Sequence, residues 1–331
     1  MRARDRSMLR LFALALITGA LFAVAPSGWS VQRLTMAATF STSPFYAYQV
    51  AVANYVNEVV PSVHITVQEI GGAAVATQAV LRGEADMGIA VTESDYAAVR
   101  GLKPFNRPNP DLRTLWFFAP LPLNWFVGRD TPIKSLYQLA GQPFNPGGRG
   151  TSTENQTRFI FDLLGIKPHY YLAGGDDALE AYQNRRIVGA TKAGVHPDAY
   201  IQQAHSARPI RMLSLTEAQV RLIIEAAPYF SRAELSGEGF YSGVGSYLTV
   251  QTAIGINGHK NIPEKIVYEI ARAVFGKRGI EAAARAYSPA ARFDPVQLTL
   301  SVSVAPLHKG VVRYLTERSI KVPQRLLPPD M

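Results

Sequence analysis

The sequence predicts an α/β fold of parallel sheets flanked by helices, with enough chain for two lobes. Short apolar, β-type runs alternate with helix-period stretches from residue 33 to residue 275. About 300 residues remain beyond the N-terminal segment, enough for two cores. There is no cysteine, which excludes disulfides, thiolate metal sites and cysteine nucleophiles and leaves the core to hold the fold. No internal repeat or low-complexity segment interrupts the alternation.

The elements follow in order. Arg2, Arg4, Arg6 and Arg10 precede an apolar run from Leu11 to Ala25 that ends in Ala23-Val24-Ala25, so residues 1–25 read as a cleaved signal peptide. That run is short for a membrane span, and no later stretch is long and apolar enough to be one. Arg33 to Thr39 is a strand. Tyr46 to Val60 is an amphipathic helix stopped by Pro61. Val63 to Gln68 alternates as a strand, and Gly71-Gly72 turns it into a small-residue helix. Asp86 to Val91 is a buried strand. Leu112 to Gly128 is apolar but broken by Pro120 and Pro122. Residues 152–164, 176–184, 197–205 and 216–226 are helices with short strands between. Tyr247 to Ile256 is strand-like and Ile262 to Phe275 helical.

The stretch FNPGGRGTSTENQTRFIFDLLG, residues 144–165, carries the clearest local signal. Gly147, Gly148 and Gly150 permit unusual backbone angles. Thr151 with Glu154 is a capping-box pattern, and Phe159, Ile160, Leu163 and Leu164 give one apolar helix face ending at Gly165. The free amides and dipole at such a helix front favour an anion, and Arg149 adds a full charge beside them. The plainer alternative is a surface loop with an ordinary cap. The stretch is neither a P-loop nor a dinucleotide fingerprint.

In sheets of this kind ligands bind beyond the carboxyl ends of the strands. Several turns there are small and polar: Ser41 to Tyr46, Gly71-Gly72, Thr92-Glu93-Ser94, Gly148 to Ser152, and Ala193 to Pro197. Helix fronts facing one crevice suit a carboxylate better than a cation. Removing the four arginines and one aspartate of residues 1–25 lowers the formal charge from +9 to +6. That field helps recruit an anion, or serves solubility alone. No basic run with interleaved aromatics points to nucleic acid. Neither H-E-x-x-H nor G-x-S-x-G is present, and no residues cluster at metal-ligand spacing. No cofactor, metal or catalytic residue is expected.

Four stretches together resemble the periplasmic solute receptors of TRAP transporters, specifically the TAXI subfamily, over about residues 33–318. They are TSPFYAYQVAVANYVNE (42–58), GGAAVATQAVLRGEADMGIA (71–90), IKSLYQLAGQPFNPGGRGTSTENQTRFIFDLLGI (133–166) and PLHKGVVRYLTE (306–317). Arg149, Ala73, Ala76 and Val188 depart from residues common at those positions. The resemblance implies a two-lobed periplasmic binding protein, type II-like, each lobe a mixed sheet flanked by helices. Lobe 1 would hold residues 33–121 and 250–331, and lobe 2 residues 122–249, hinged near Pro120–Asn124 and Tyr247–Thr252. It implies a monomeric periplasmic receptor that closes on a small carboxylate, glutamate-like or dicarboxylic, and delivers it to a TRAP permease. A ligand sensor for a signalling partner and an exported enzyme on a related fold are the rival readings.

Arg149 is the first candidate ligand residue, because a guanidinium grips a carboxylate through paired hydrogen bonds. Gly150 lets the backbone approach the ligand closely, and Thr151 and Ser152 either cap the helix or donate to the ligand. Thr42, Ser43 and Thr92 offer hydroxyls at their turns. Phe45 and Tyr46 would wall the pocket, with Tyr48 on the core face. Trp125 either covers the ligand or is a buried structural side chain. His196 contacts the anion or is satisfied elsewhere, Lys192 is a reserve cation, and His308 is structural.

Overall fold

The computed structural model describes residues 31–331, so the expected signal peptide lies outside the described residues. β1 (Gln32–Ala38) leads to α1 (Pro44–Val59). Pro44 suits a first helical position, and Ser43 caps the helix by accepting from the Phe45 N–H at 3.2 Å. Tyr48, Val52 and Val56 form its buried stripe. β2 (Val63–Glu69) and β3 (Met87–Val91) both lie parallel to β1, with α2 (Ala73–Arg82) between them. β3 passes straight into α3 (Thr92–Arg100), where the sequence reading had only a turn at Thr92-Glu93-Ser94. The Ser94 hydroxyl closes that junction on the Val91 backbone.

β4 (Leu112–Gly128) is one strand of 17 residues, buried throughout. Pro120 and Pro122 do not break it. Up to Pro122 the strand pairs with β10 (Ser246–His259); its other edge carries a single bridge from Thr114 to Leu307 and pairs with β7 (Gly189–Ala193) from Leu123 on, so the prolines fall between these contacts. Prolines are tolerated where one edge needs no N–H donor. β10 changes partners too: Ser246 to Gln251 pairs with β9 (Ser231–Ser236), and Gln251 to His259 with β4.

The second half of the chain carries β5 (Pro143–Asn145), α4 (Ser152–Leu163), β6 (His169–Tyr170), α5 (Gly175–Gln183), α6 (Ala199–Ala207), β8 (Ile210–Met212) and α7 (Glu217–Ala226). After β10 come α8 (Glu264–Val274), α9 (Lys277–Ala286), α10 (Pro295–Val302) and α11 (Lys309–Thr316). His308 caps α11, accepting from the Gly310 N–H at 3.1 Å, and is structural as read.

Strand order is β2-β1-β3-β10-β4-β7-β5-β6, with β9 on β10 and β8 on β4. The alternation of strand and helix predicted parallel pairing. It holds at the two flanks, but β4 and β10 run antiparallel to their neighbours through the centre, so the sheet is mixed. A long return strand after a series of helices reverses direction with no local signal in its own residues. The main core packs both ends of the sheet, and a smaller cluster of Phe126, Tyr182, Ile201, Ile210 and Tyr241 sits under α5 and α6. Among the described residues no helix is long and apolar enough to cross a membrane.

Candidate functional site

A cleft of about 980 Å³ opens where the strand ends meet, lined from both halves of the sheet. Ser41 to Phe45 come from the front of α1, Gly72 and Ala73 from α2, Gly148, Arg149, Thr151 and Ser152 from the glycine-rich turn, and Thr191 to Val195 from the end of β7. Of the residues singled out above, Thr42, Ser43, Phe45, Arg149, Thr151, Ser152 and Lys192 line it. Phe45 stands edge-on to Phe118 at 6.2 Å and Tyr287 at 5.3 Å between ring centroids, so an aromatic wall forms in which Phe45 and the largely buried Tyr287 line the cleft. Tyr48 stacks on Phe118 in the core, as its spacing predicted.

The glycine-rich turn spends most of its donors on itself. The Glu154 carboxylate accepts from the Gly150 N–H at 2.8 Å. The Arg149 N–H donates to the Ala173 carbonyl at 3.2 Å. The Thr151 hydroxyl accepts from the Glu154 N–H at 3.3 Å and donates to the Gly148 carbonyl at 2.6 Å, so it serves as a cap. Ser152 has its side chain on Glu93, whose carboxyl is raised by burial against the opposing bonds from Gln156 and Ser152. What remains open is the exposed Arg149 guanidinium, which has no side-chain partner among the described residues, and the first-turn amides of Ser152 and Thr153, which have none within their own helix.

The structure does not bring five of the candidates to the cleft. Gly150 is held by Glu154 behind the turn. Tyr46 lies outside the lining, one residue past Phe45. Thr92 is buried, and its hydroxyl accepts from the Ala253 N–H at 3.3 Å and donates to the Tyr229 carbonyl at 3.4 Å, joining three segments. Trp125 is 0% exposed and packs on Phe161, so it does not cover a ligand from the cleft rim. His196 is buried behind Val195 and Pro197, with Nδ1 on the Tyr241 hydroxyl at 3.1 Å and Nε2 on the Tyr247 hydroxyl.

The partners of His196 fix its state. The Tyr247 hydroxyl donates to Asn124 Oδ1, so Nε2 carries the proton and donates to Tyr247. The Tyr241 hydroxyl accepts from the Asp198 N–H and donates to Nδ1. The ring is neutral, and burial pushes its pKa down to about 4, with Asp198 opposing and Arg292 assisting. His196 therefore supplies no positive charge. It ties the expected crossover segments together through Asn124 and Tyr247, and Asn124 in turn donates to the Gly194 carbonyl at 2.7 Å.

The sequence reading missed the acidic side of the cleft. Glu69, Asp176 and Asp198 line it, and Lys192 is held 3.8 Å from Asp198, leaving Arg149 as the lining cation without a carboxylate partner. Asp198 caps α6 by accepting from the Ile201 N–H at 3.0 Å. Asp176 directly follows Gly174-Gly175 and Glu69 lies one residue short of Gly71-Gly72, and that closeness was a legible signal.

The model of the NMT1-like family matches residues 36–318. Among solved structures, MatC from Rhodopseudomonas palustris with bound malate is similar, with a TM-score of 0.52 at 14% identity over 87% of this chain and 96% of that one. A structure described as a periplasmic transporter is similar with a TM-score of 0.50 at 14% identity, over 84% of this chain and 99% of that one. At these identities the likeness is one of fold, the mixed α/β fold of two-lobed periplasmic binding proteins.

Proposed function

The chain belongs to the NMT1-like family, and from that premise we propose that it is an extracytoplasmic solute receptor which closes on a small organic anion. The observation that carries this reading is Arg149, an exposed guanidinium at the cleft with no side-chain partner among the described residues. The ligand is a carboxylate of the glutamate-like or dicarboxylic class. Arg149 supplies the charge. The open amides at the fronts of α2 and α4 supply hydrogen bonds. The lobes are residues 33–121 with 250–331, and 122–249. They hinge where β4 leaves β10 for β7 and where β10 leaves β9 for β4. The receptor works in the periplasm as a monomer of the TAXI type after cleavage near Ala25, and hands its ligand to a TRAP permease.

The test is a thermal-shift screen of L-malate, succinate, 2-oxoglutarate and L-glutamate, followed by solution scattering. An acid that binds the native state alone raises the melting temperature with the logarithm of its concentration. The expected result is stabilisation by at least one of these acids, with a smaller radius of gyration in the complex. No stabilisation by any of them would refute the carboxylate assignment, and an unchanged radius at saturation would refute the clamp.

A further inference from the structure

At the floor of the cleft lies Thr191, and behind it on the same face of the sheet are Trp125 and Thr157, three buried polar side chains with no hydrogen-bond partner among the described residues. Thr191, in β7, lines the cleft, is 3% exposed, and has an unpartnered hydroxyl. Trp125 of β4 stands directly opposite it in the antiparallel register, so the two side chains share a face. The Trp125 indole N–H is unpartnered at 0% exposure. Its ring packs on Phe161 of α4 at 6.4 Å between centroids. Thr157 lies one turn before Phe161 on the same helix stripe, is 0% exposed, and has an unpartnered hydroxyl. One turn earlier still, Thr153 lines the cleft. The stripe Phe161, Thr157, Thr153 thus runs from core to cleft, beside the strand that carries Thr191.

Buried polar groups are nearly always paired, so the unpartnered Thr191 hydroxyl at the cleft asks for a partner from outside the chain. An indole N–H only donates, and a hydroxyl donates readily. The partner they suit is an acceptor oxygen. We infer that Thr191, backed by Trp125 and Thr157, forms a subsite that takes a hydroxyl or keto oxygen on the carbon chain of the ligand. The inference rests on the reading of the cleft as a carboxylate site, in which Arg149 engages the carboxylate. It narrows the ligand from any small dicarboxylate to an oxygen-bearing one. Thr191 is a specificity residue. Trp125 and Thr157 stand behind it as positioning residues.

The test uses two matched pairs of acids, L-malate with succinate and 2-oxoglutarate with glutarate, titrated calorimetrically into the full protein and into Thr191→Val. Valine keeps the shape and removes the hydroxyl. The parent is expected to prefer the oxygen-bearing member of at least one pair by about tenfold, the worth of one good hydrogen bond. Thr191→Val should abolish that preference and leave the affinity for the deoxy member within about twofold. A preference that survives in Thr191→Val overturns the subsite, and so does a parent that binds both members equally. If none of the four acids binds the parent, the carboxylate reading fails by itself, and unfolding of the ligand-free protein decides the subsite. An unpartnered hydroxyl predicts a melting temperature for Thr191→Val equal to or above that of the parent. A lower one would show that the hydroxyl already serves the fold and would overturn the inference.

Discussion

Two glycine-rich helix fronts face each other across the cleft, and they behave differently. The front of α4 is dense with signal: three glycines, a threonine cap, a glutamate at the third helical position and an arginine. The front of α2 is plain, with Gly72 as its N-cap and no side-chain cap at all. The denser front has the fewer free donors, because Glu154 and Thr151 fill it from within and Arg158 pairs with Glu154 at 3.2 Å. The plainer front leaves its first-turn amides to whatever enters the cleft. A capping box and an anion site compete for the same N–H groups, so a strong cap in a sequence counts against anion binding by those amides. The two fronts also touch. A Cβ on Gly72 would lie 2.6 Å from the Gly150 carbonyl oxygen, so the glycine at that position is what lets the turns approach.

The largest expected effect lies behind α2. Thr77 of that helix and Asp95 of α3 both accept from the Asn257 amide, at 2.9 and 2.7 Å. Burial pushes the Asp95 carboxyl up to about 7, with Asn257 opposing. The folded pKa is raised above the unfolded one of 3.8, so the fold holds the proton. Its stabilising effect is full below about pH 3.8 and is lost as pH rises to about 7. Asp95→Asn mimics the protonated form. At pH 8 it should be more stable than the parent by up to about 4 kcal/mol, with the gap closing as pH falls toward 4. Denaturant unfolding at several pH values checks this, and a constant difference across that range would show that Asp95 does not titrate in the fold.

Gly72→Ala sharpens the comparison next. Its new methyl meets a backbone carbonyl, which cannot swing aside as a side chain can. Overpacking of this kind costs about 1–3 kcal/mol, and borne by the closed clamp in which the fronts meet it should lower anion affinity roughly 5- to 150-fold while the ligand-free melting temperature changes little. Unchanged affinity would mean that the two fronts need not meet for binding. The smallest effect is expected from Glu154→Gln. The amide oxygen still accepts from the Gly150 N–H, and the pair with the half-exposed Arg158 is lost. Stability should fall by no more than about 0.5 kcal/mol, and anion affinity should rise about twofold as a like charge leaves the turn. A fall in affinity would place Glu154 in the site as a contact.

Particular residues show what was legible. The α1, α2 and α4 helices fall within about two residues of their spacing, because Ser43 and Thr151 cap, Gly83 ends α2 in a left-handed turn, and the buried stripes recur at helical period. The passage of β4 through Pro120 and Pro122 was not legible, since it depends on which edge of the strand has a partner, a fact about β7 and β10. Of the candidate site, Arg149, Phe45 and the helix fronts could be read from local chemistry. His196, Trp125 and Thr92 could not. His196 lies in a turn, Thr92 opens α3 and Trp125 sits inside β4, and in each the side chain points inward, to Tyr247, the β10 backbone and Phe161. Of the acidic lining, Glu69 and Asp176 were legible beside their Gly-Gly turns, while their convergence with Asp198 on one cleft is a product of folding.

The central claim is that Arg149 anchors the anion while the turn around it serves the fold. Calorimetric titration of the acid found in the screen into Arg149→Ala and Arg149→Lys tests it directly. A charge-assisted hydrogen bond contributes about 1.5–3 kcal/mol, so Arg149→Ala should bind roughly 10- to 150-fold more weakly, with an unchanged melting temperature when ligand-free. Arg149→Lys should recover part of the loss, because the charge returns without the paired geometry. Parental affinity in Arg149→Ala would contradict the account and leave the anion to the amides of α2 and to Lys192.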